Sequence, residues 1–451
     1  MFELPKYTSF RSIASPWLER IPSHWRAVRT KSMLHERSIK GYPDEPLLAA
    51  TQTHGVIRKS EYGARTVTAT KDLHLLKLVE VGDFVISLRS FQGGIERCYH
   101  RGIISPAYTV LTANSETYRD YLTHLFKSTP FISSLSLAVT GIREGQTIDY
   151  SKLATELLPV PPPDEQAAIV KYLAHANARI DKAIAAKRRL IALITEQKSA
   201  LLAQIVGSAS GDRMRLKNVA VIQTGLTLGK NYREAALVDY PYLRVANVQM
   251  GHVDTTDVAT VAVPPEEARR CTLRPGDVLM TEGGDIDKLG RGTVWDGSVQ
   301  GCLHQNHVFA VRCGDQLLPE FLAAWLAAPE PRRYFYVTAK KTTNLAATNS
   351  TTVRELPITV PSVKAQEQLL QRLQQRWAPL DVAILKAARE VALLQEFRRR
   401  LVADVVTGQV DVRGIARNLP DMDAAVTWGE SGLVEPNNAP GFDDLVEVGE
   451  D

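Results

Sequence analysis

Two stretches of this chain place apolar residues in alternating steps of three and four. The first runs Val170, Leu173, Asn177, Ile180, Ile184, Lys187, Ile191, Ile194, Lys198, Leu201, Ile205. The second, two hundred residues on, runs Leu370, Leu373, Trp377, Leu380, Ile384, Ala387, Val391, Leu394, Arg398, Leu401, Val405. Eight and ten of the eleven rungs are apolar, where a 44% hydrophobic composition predicts about five. A sustained 3.5-residue step predicts a long helix with a coiled-coil seam in each stretch. Pro161–Pro163 and Pro361 stand just ahead of them, where proline can lead into a helix but not extend it backwards. Asp164 and Ser362 are the expected N-caps, and Pro379 should kink the second helix or divide it. Asn177 on the seam would help to fix register.

The two helices belong to a larger repeat. Ile194-Thr-Glu-Gln-Lys-Ser-Ala-Leu-Leu-Ala-Gln-Ile-Val206 returns without a gap as Leu394-Gln-Glu-Phe-Arg-Arg-Arg-Leu-Val-Ala-Asp-Val-Val406. Leu158-Pro-Val-Pro-Pro-Pro-Asp-Glu-Gln166 answers Leu356-Pro-Ile-Thr-Val-Pro, which leads to Glu367-Gln368. Val81-Gly-Asp matches Pro275-Gly-Asp, and Tyr121-Leu-Thr-His-Leu-Phe matches Phe321-Leu-Ala-Ala-Trp-Leu. Four matches in the same order identify a duplicated unit, each copy a globular lobe followed by a long helix.

The division is a first lobe at 1–157, a first helix at 158–207, a second lobe at 208–357, a second helix at 358–411 and a tail at 412–451. Each lobe mixes short alternating strands (81–88, 242–248, 308–312), glycine-rich turns and one short helix (118–127, 319–327), which makes the class α+β. Two matched seams in one chain are best buried against each other. A pseudo-two-fold relation between the repeats would make the helices antiparallel, with the lobes at opposite ends. The tail is acidic and without period, so it reads as disordered.

Composition narrows the function. No stretch approaches the roughly 18 apolar residues of a membrane span, and the start has no signal-peptide pattern. Cys98, Cys271, Cys302 and Cys313 form no metal or disulfide spacing, which fits a reducing, cytoplasmic setting. The net charge of +4 hides nine acidic residues and no basic one after position 417, leaving +13 on residues 1–417. A basic body points to an anionic partner, nucleic acid first.

Catalytic motifs are missing. Gly225-Leu-Thr-Leu-Gly-Lys-Asn231 is one residue short of a phosphate loop and has Asn where Ser or Thr should bind magnesium. His304-Gln-Asn-His307 lacks a metalloprotease glutamate, and Glu282-Gly-Gly-Asp-Ile-Asp-Lys288 sits in one glycine-rich loop rather than on strands around a metal. The chemistry points to recognition or assembly.

The ordered repeat, together with Ile21-Pro-Ser-His-Trp25, Gly102-Ile-Ile-Ser-Pro-Ala-Tyr108, Tyr242-Leu-Arg-Val-Ala-Asn-Val248 and Gln305-Asn-His307, resembles the specificity subunits of type I restriction–modification enzymes over residues 20–412. The resemblance implies two target-recognition domains, each reading half of a bipartite double-stranded DNA site, with the helices setting their separation. It implies two methyltransferase (modification) subunits and motor–nuclease (restriction) subunits as partners. S-adenosylmethionine, ATP and Mg2+ are then expected on those partners, and this chain is expected to be non-catalytic. The seam from Val170 to Ile205 is about 54 Å long at 1.5 Å per residue, a scale of roughly 16 base pairs.

Three departures stand out: the second lobe lacks Ile-Pro-x-x-Trp, Gly141-Ile-Arg-Glu-Gly145 has no clean counterpart in Lys340-Lys-Thr-Thr-Asn344, and the acidic tail lies outside the family pattern. By side-chain type, the DNA-contact candidates are Arg89, Gln92, Arg97, Arg143 and Gln146 in the first lobe. In the second they are Arg244, Asn247, Gln249, Lys288, Arg291, Asn306, Lys340 and Asn344. The helix clusters Lys187-Arg-Arg189 and Arg398-Arg-Arg400 suit solvent or partner subunits better than bases. The competing expectation is a coiled-coil scaffold whose lobes bind protein. Charge by segment is +5, +3, +1 and +4 for residues 1–157, 158–207, 208–357 and 358–417. A nearly neutral second lobe predicts weak DNA binding by the isolated chain.

Overall fold

Each apolar ladder becomes one helix, Pro163–Gly207 and Val363–Val406. The computed structural model describes residues 4–421 except 53, 63–70, 89, 141–146, 230–231, 233–235, 250, 285–288 and 342–345. Residues 158–162 are not on the helix: Leu157–Val160 is a strand paired antiparallel with Arg26–Arg29. Its counterpart Pro357–Val360 pairs with Asp212–Arg215. Prolines 161–163 have no N–H to give, which delays the helix to Pro163.

Asp164 therefore lies inside the first turn rather than at the cap, where its charge still faces the positive end of the helix dipole. Ser362 does cap the second helix, its hydroxyl accepting the Ala365 N–H at 3.4 Å. The second helix runs unbroken through Pro379, which is exposed, so the carbonyl that its ring leaves without a donor can be hydrated.

The compact units cut across the linear order of lobe and helix. One unit comprises residues 1–187 and 389–451, the other residues 188–388, so each holds one lobe and half of both helices. In the first, Trp25, Phe84, Tyr121, Phe126 and Phe131 form a core with Leu173, Ile180 and Ile184 of one helix and Val391, Leu401, Val405 and Val406 of the other. Tyr121 donates its hydroxyl to the Pro159 and Val406 carbonyls, both at 2.9 Å. In the second, Leu216, Val278, Phe309, Phe321 and Leu356 pack with Leu202, Ile205, Val206 and Leu373.

Pairing is antiparallel within each unit. Asp181 meets Arg398 at 2.6 Å and Lys187 meets Glu390 at 2.5 Å in the first. Lys198 meets both Asp381 and Trp377 in the second, its ammonium 4.6 Å from the ring centroid. By length and hydropathy alone Pro163–Gly207 could cross a membrane. Its apolar residues instead form a buried stripe through Leu173, Ile180, Ile184, Ile191, Ile194, Leu202 and Ile205.

The lobes share one sheet plan. In the first, Leu34–Arg37, Thr109–Ala113, Phe84–Ile86 and Glu96–Arg97 lie side by side in that order. In the second the order is Ala220–Thr224, Val308–Cys313, Val278–Thr281, Gly292–Val294. Cross-strand register equates Phe84 with Val278 and Leu111 with Val311. Two short helices follow each sheet, Glu116–Phe126 with Thr129–Leu135, and Pro319–Ala327 with Pro329–Thr338. The class is α+β.

The first residues of the stretch expected to be disordered, 412–417, are folded. Val412 and Ala416 are buried, Arg413–Arg417 is helical, and the Asp411 N–H reaches the Pro5 carbonyl at 2.8 Å. Arg413 pairs with Asp411 at 2.7 Å and lies over the Tyr7 ring. Apolar contacts thus fold residues 412–417 onto the first lobe. Residues 422–451 lie outside the described ones.

Candidate nucleic-acid interface

The repeated Gly-Asp pair holds the sheet from inside. Gly82 and Gly276 both adopt φ +89°, a left-handed turn that a side chain would strain. Asp277 is 1% exposed and accepts Nε and Nη2 of Arg312 at 2.8 and 2.7 Å and the Arg274 N–H at 2.8 Å. Asp83, equally buried, accepts the Glu80 N–H and the Thr112 hydroxyl, each at 2.8 Å, and pairs with Arg37. Register places Thr112 where the second lobe has Arg312. The two copies keep the buried acid and take its arginine from different strands. Burial holds the Asp83 carboxyl above its usual range.

Beyond these strands each lobe offers a loop and a hairpin. In the first, the segment after Phe84–Ile86 forms Ser90–Gly93, with Gln92 exposed, beside the hairpin Val139–Thr140/Thr147–Ile148. In the second, Gly283–Gly284 pairs with Ala346–Ala347, which pairs with Lys340–Lys341. Glu282 ties three loops together: its N–H donates to the His307 carbonyl and its carbonyl accepts the Thr348 N–H, both at 2.8 Å. Its carboxylate also meets His307 Nδ1 at 2.5 Å. The hairpin Lys340–Lys341/Ala346–Ala347 therefore has a topological partner in Val139–Thr140/Thr147–Ile148, although their sequences differ.

This arrangement brings Lys340, exposed, and Asn306, half-buried, to one loop cluster, with half-buried Arg291 at the start of the adjoining strand. Lys341 lies 3.8 Å from the Tyr336 ring centroid in the same cluster. Arg89, Arg143, Gln146, Lys288 and Asn344 lie outside the described residues.

Three candidates are held by the lobes themselves. Arg97, its side chain 14% exposed, pairs with Asp120 at 2.5 Å and lies over Tyr99, bracing strand against helix. Asn247 is buried and gives both amide protons to the Asp254 and Asp257 carbonyls, at 3.0 and 2.9 Å. It shapes its turn and cannot face DNA in this conformation. Arg244 pairs with Asp257 at 2.7 Å; Gln249 is exposed at the tip of the turn, its Nε2 donating to the Ala246 carbonyl at 2.7 Å.

His304, the other half of the rejected metal pair, is buried with Nδ1 2.7 Å from the Val308 carbonyl, and burial lowers its pKa. Among the described residues no group of three or more His, Cys, Asp or Glu is placed to hold a metal. The four cysteines are unbridged, and burial pushes the Cys98 thiol up to about 12.

No protein-family model matches the chain. It is 23% identical over 329 residues to the EcoKI specificity subunit of the type I restriction enzyme of Escherichia coli (strain K12), covering 69% of this chain and 70% of that protein. The chain is a homologue of type I specificity subunits. It is also 21% identical over 300 residues to the EcoBI specificity subunit of Escherichia coli, covering 60% of this chain and 61% of that one. Its fold is that of a chain from a solved type I restriction–modification complex, with TM-score 0.62 and 18% identity, covering 86% of this chain and 99% of that one.

In this specificity-subunit homologue the Ile-Pro-x-x-Trp motif serves packing. Trp25, 1% exposed, donates Nε1–H to Glu165 at 3.0 Å, and Tyr7 and His24 meet the same buried carboxylate. Burial beside that charge raises the Tyr7 pKa. The second lobe has Ala365 in place of Glu165, so the tryptophan motif and its acceptor are missing together.

Gln166 and Gln366 occupy equivalent places, each donating to the carbonyl of Pro161 or Pro361 at 2.8 Å. The true counterpart of Gln166 is therefore Gln366, not the Glu367-Gln368 pair that the sequence suggests.

Along the seam, Leu173, Ile180, Ile184, Ile191, Ile194, Leu373, Val391 and Leu401 are buried, while Asn177, Leu201, Trp377, Leu380, Ile384 and Leu394 are half-buried. Leu202 replaces Leu201 on the buried side, where the helix packs into the second lobe and follows a 3.6-residue rather than a 3.5-residue period.

Proposed function

We propose that this chain is the DNA-recognition subunit of a type I restriction–modification complex, each lobe reading one half of a bipartite site. The observation that carries this reading is the duplicated four-stranded sheet. Each copy presents a loop and a hairpin beyond its sheet, and of the described candidates Gln92 and Lys340 stand exposed on them. Such side chains make the hydrogen bonds by which bases are told apart.

The chain itself is non-catalytic in this reading. Two methyltransferase subunits supply the methyl donor site, and motor–nuclease subunits use ATP and Mg2+. The helices set the half-site spacing and dock the methyltransferases. Leu190, Leu193, Val382, Leu385, Leu393 and Phe397 leave apolar surface on the helices for such a partner. A nearly neutral second lobe makes binding by the chain alone weak.

The test is a genome-wide map of methylated bases with the gene intact and deleted. Loss on deletion of methylation confined to a split motif is the expected result. An unchanged map in a strain expressing the gene and an active neighbouring methyltransferase refutes the proposal.

A further inference from the structure

The fourth strand of each sheet carries a buried polar residue at one register position. Glu96 lies opposite Val85 and Thr293 opposite Leu279, two equivalent sites, and both residues are 2% exposed. A buried polar side chain on a strand needs a partner, and in each lobe the connection leads to the tip of a separate turn.

In the second lobe the Thr293 hydroxyl donates to the Gln249 carbonyl at 2.6 Å and accepts the Gly251 N–H at 3.3 Å. In the first, Glu96 pairs with Lys127, whose ammonium also donates to the Gln52 carbonyl at 3.0 Å and the Gly93 carbonyl at 2.8 Å. Gln52 ends the hairpin Leu48–Thr51/Gly55–Arg58, and Gln249 stands in the turn closed by the Val248–Val253 bridge. Both glutamines are exposed, and Gln249 Nε2 donates one proton to the Ala246 carbonyl at 2.7 Å, which fixes the orientation of its carboxamide. The Gln52 side chain also lies across Gly93, where an added Cβ would sit 2.7 Å from its Cγ, next to Gln92.

A main chain pinned from beneath with an exposed carboxamide above it is a held reading group. We infer that Gln52 and Gln249 are matched base-contacting residues, one per lobe, and that Lys127 with Glu96, and Thr293, are the positioning residues beneath them. The inference rests on the DNA-recognition reading and adds Gln52, Lys127, Glu96 and Thr293 to it. A carboxamide suits the paired donor and acceptor on the major-groove edge of adenine, so each glutamine specifies an A·T position.

The experiment maps methylation in cells carrying the intact complex with Gln52→Ala, Gln249→Ala or Lys127→Met. Gln52→Ala should make one position of one half-site degenerate, with a roughly 5- to 150-fold loss of preference there, and leave the other half unchanged. Gln249→Ala should do the same to the other half. Lys127→Met should reproduce the Gln52→Ala pattern, and Lys127→Arg should restore the wild-type motif, which a general loss of stability would not do.

Unchanged motifs in both glutamine variants, or uniformly weaker methylation with the motif intact, would overturn the inference and leave the recognition reading standing. A wild-type map without a split motif would overturn the recognition reading itself.

Discussion

Replacing Glu165 with alanine tests whether the N-terminal tryptophan motif acts through the head of the first long helix. The carboxylate is 2% exposed and gathers Trp25 Nε1 at 3.0 Å, His24 Nε2 at 2.8 Å and the Tyr7 hydroxyl. Trp25 and Tyr7 are 1% and 7% exposed, so removing the acceptor strands two buried donors. Each stranded donor costs about 1–3 kcal/mol. Part of that total is offset because a carboxylate no longer has to be dehydrated, leaving a loss of roughly 2–4 kcal/mol. At about 2–4 °C per kcal/mol for a unit of this size, the first unit should melt roughly 4–16 °C earlier.

Calorimetry of the full chain reads the shift, and hydrogen exchange with mass spectrometry locates it. Protection should fall around residues 5–25, 163–173 and 405–417 and hold in 208–357, whose equivalent position is Ala365. A shift below about 1 °C, or an equal loss of protection in the second lobe, would refute the reasoning.

Three further outcomes follow from the same structure. Asp277→Ala leaves the Arg312 guanidinium without its buried acceptor and should cost about 3–5 kcal/mol in urea denaturation. Gly41 and Gly94 share positive φ, +91° and +85°, but a Cβ meets nothing within 4 Å at Gly41 and would lie 2.2 Å from the Phe126 carbonyl oxygen at Gly94. Gly41→Ala should therefore cost about 1 kcal/mol and Gly94→Ala several times more, read as paired denaturation midpoints.

Burial lowers His124 from 6.5 to about 4. Between those values the unfolded chain binds the extra proton, so stability is full above pH 6.5 and falls as pH drops towards 4, by up to roughly 3 kcal/mol. His124→Phe should flatten that acid limb in stability measured against pH.

The long helices could be read in the sequence because eleven rungs at a 3.5-residue step are a local signal that no rearrangement of neighbours alters. The duplication was legible for the same reason, since ordered matches need no structure. The contact candidates were less so. Arg97 and Asn247 have the side-chain types of base readers, but Asp120 and the Asp254 and Asp257 carbonyls, brought by folding, already engage them. Gln52 was not legible because Lys127, which holds its carbonyl, and Gly93, which its side chain crosses, lie far along the chain, and no spacing rule links a hairpin tip to a helix end.

By itself the sequence determined the periodic elements, the α+β class of the lobes, the order of the repeat and the basic body with its acidic end, because each depends on residues close together or simply counted. Tertiary structure alone decided that each compact unit takes half of both helices, and that Ala365 leaves the second lobe without the acceptor that Trp25 uses in the first. It also decided which polar groups are buried and which stand exposed. The physical reason is that burial is set by neighbours distant in the chain, and a polar side chain's role follows from whether a buried partner has already engaged it.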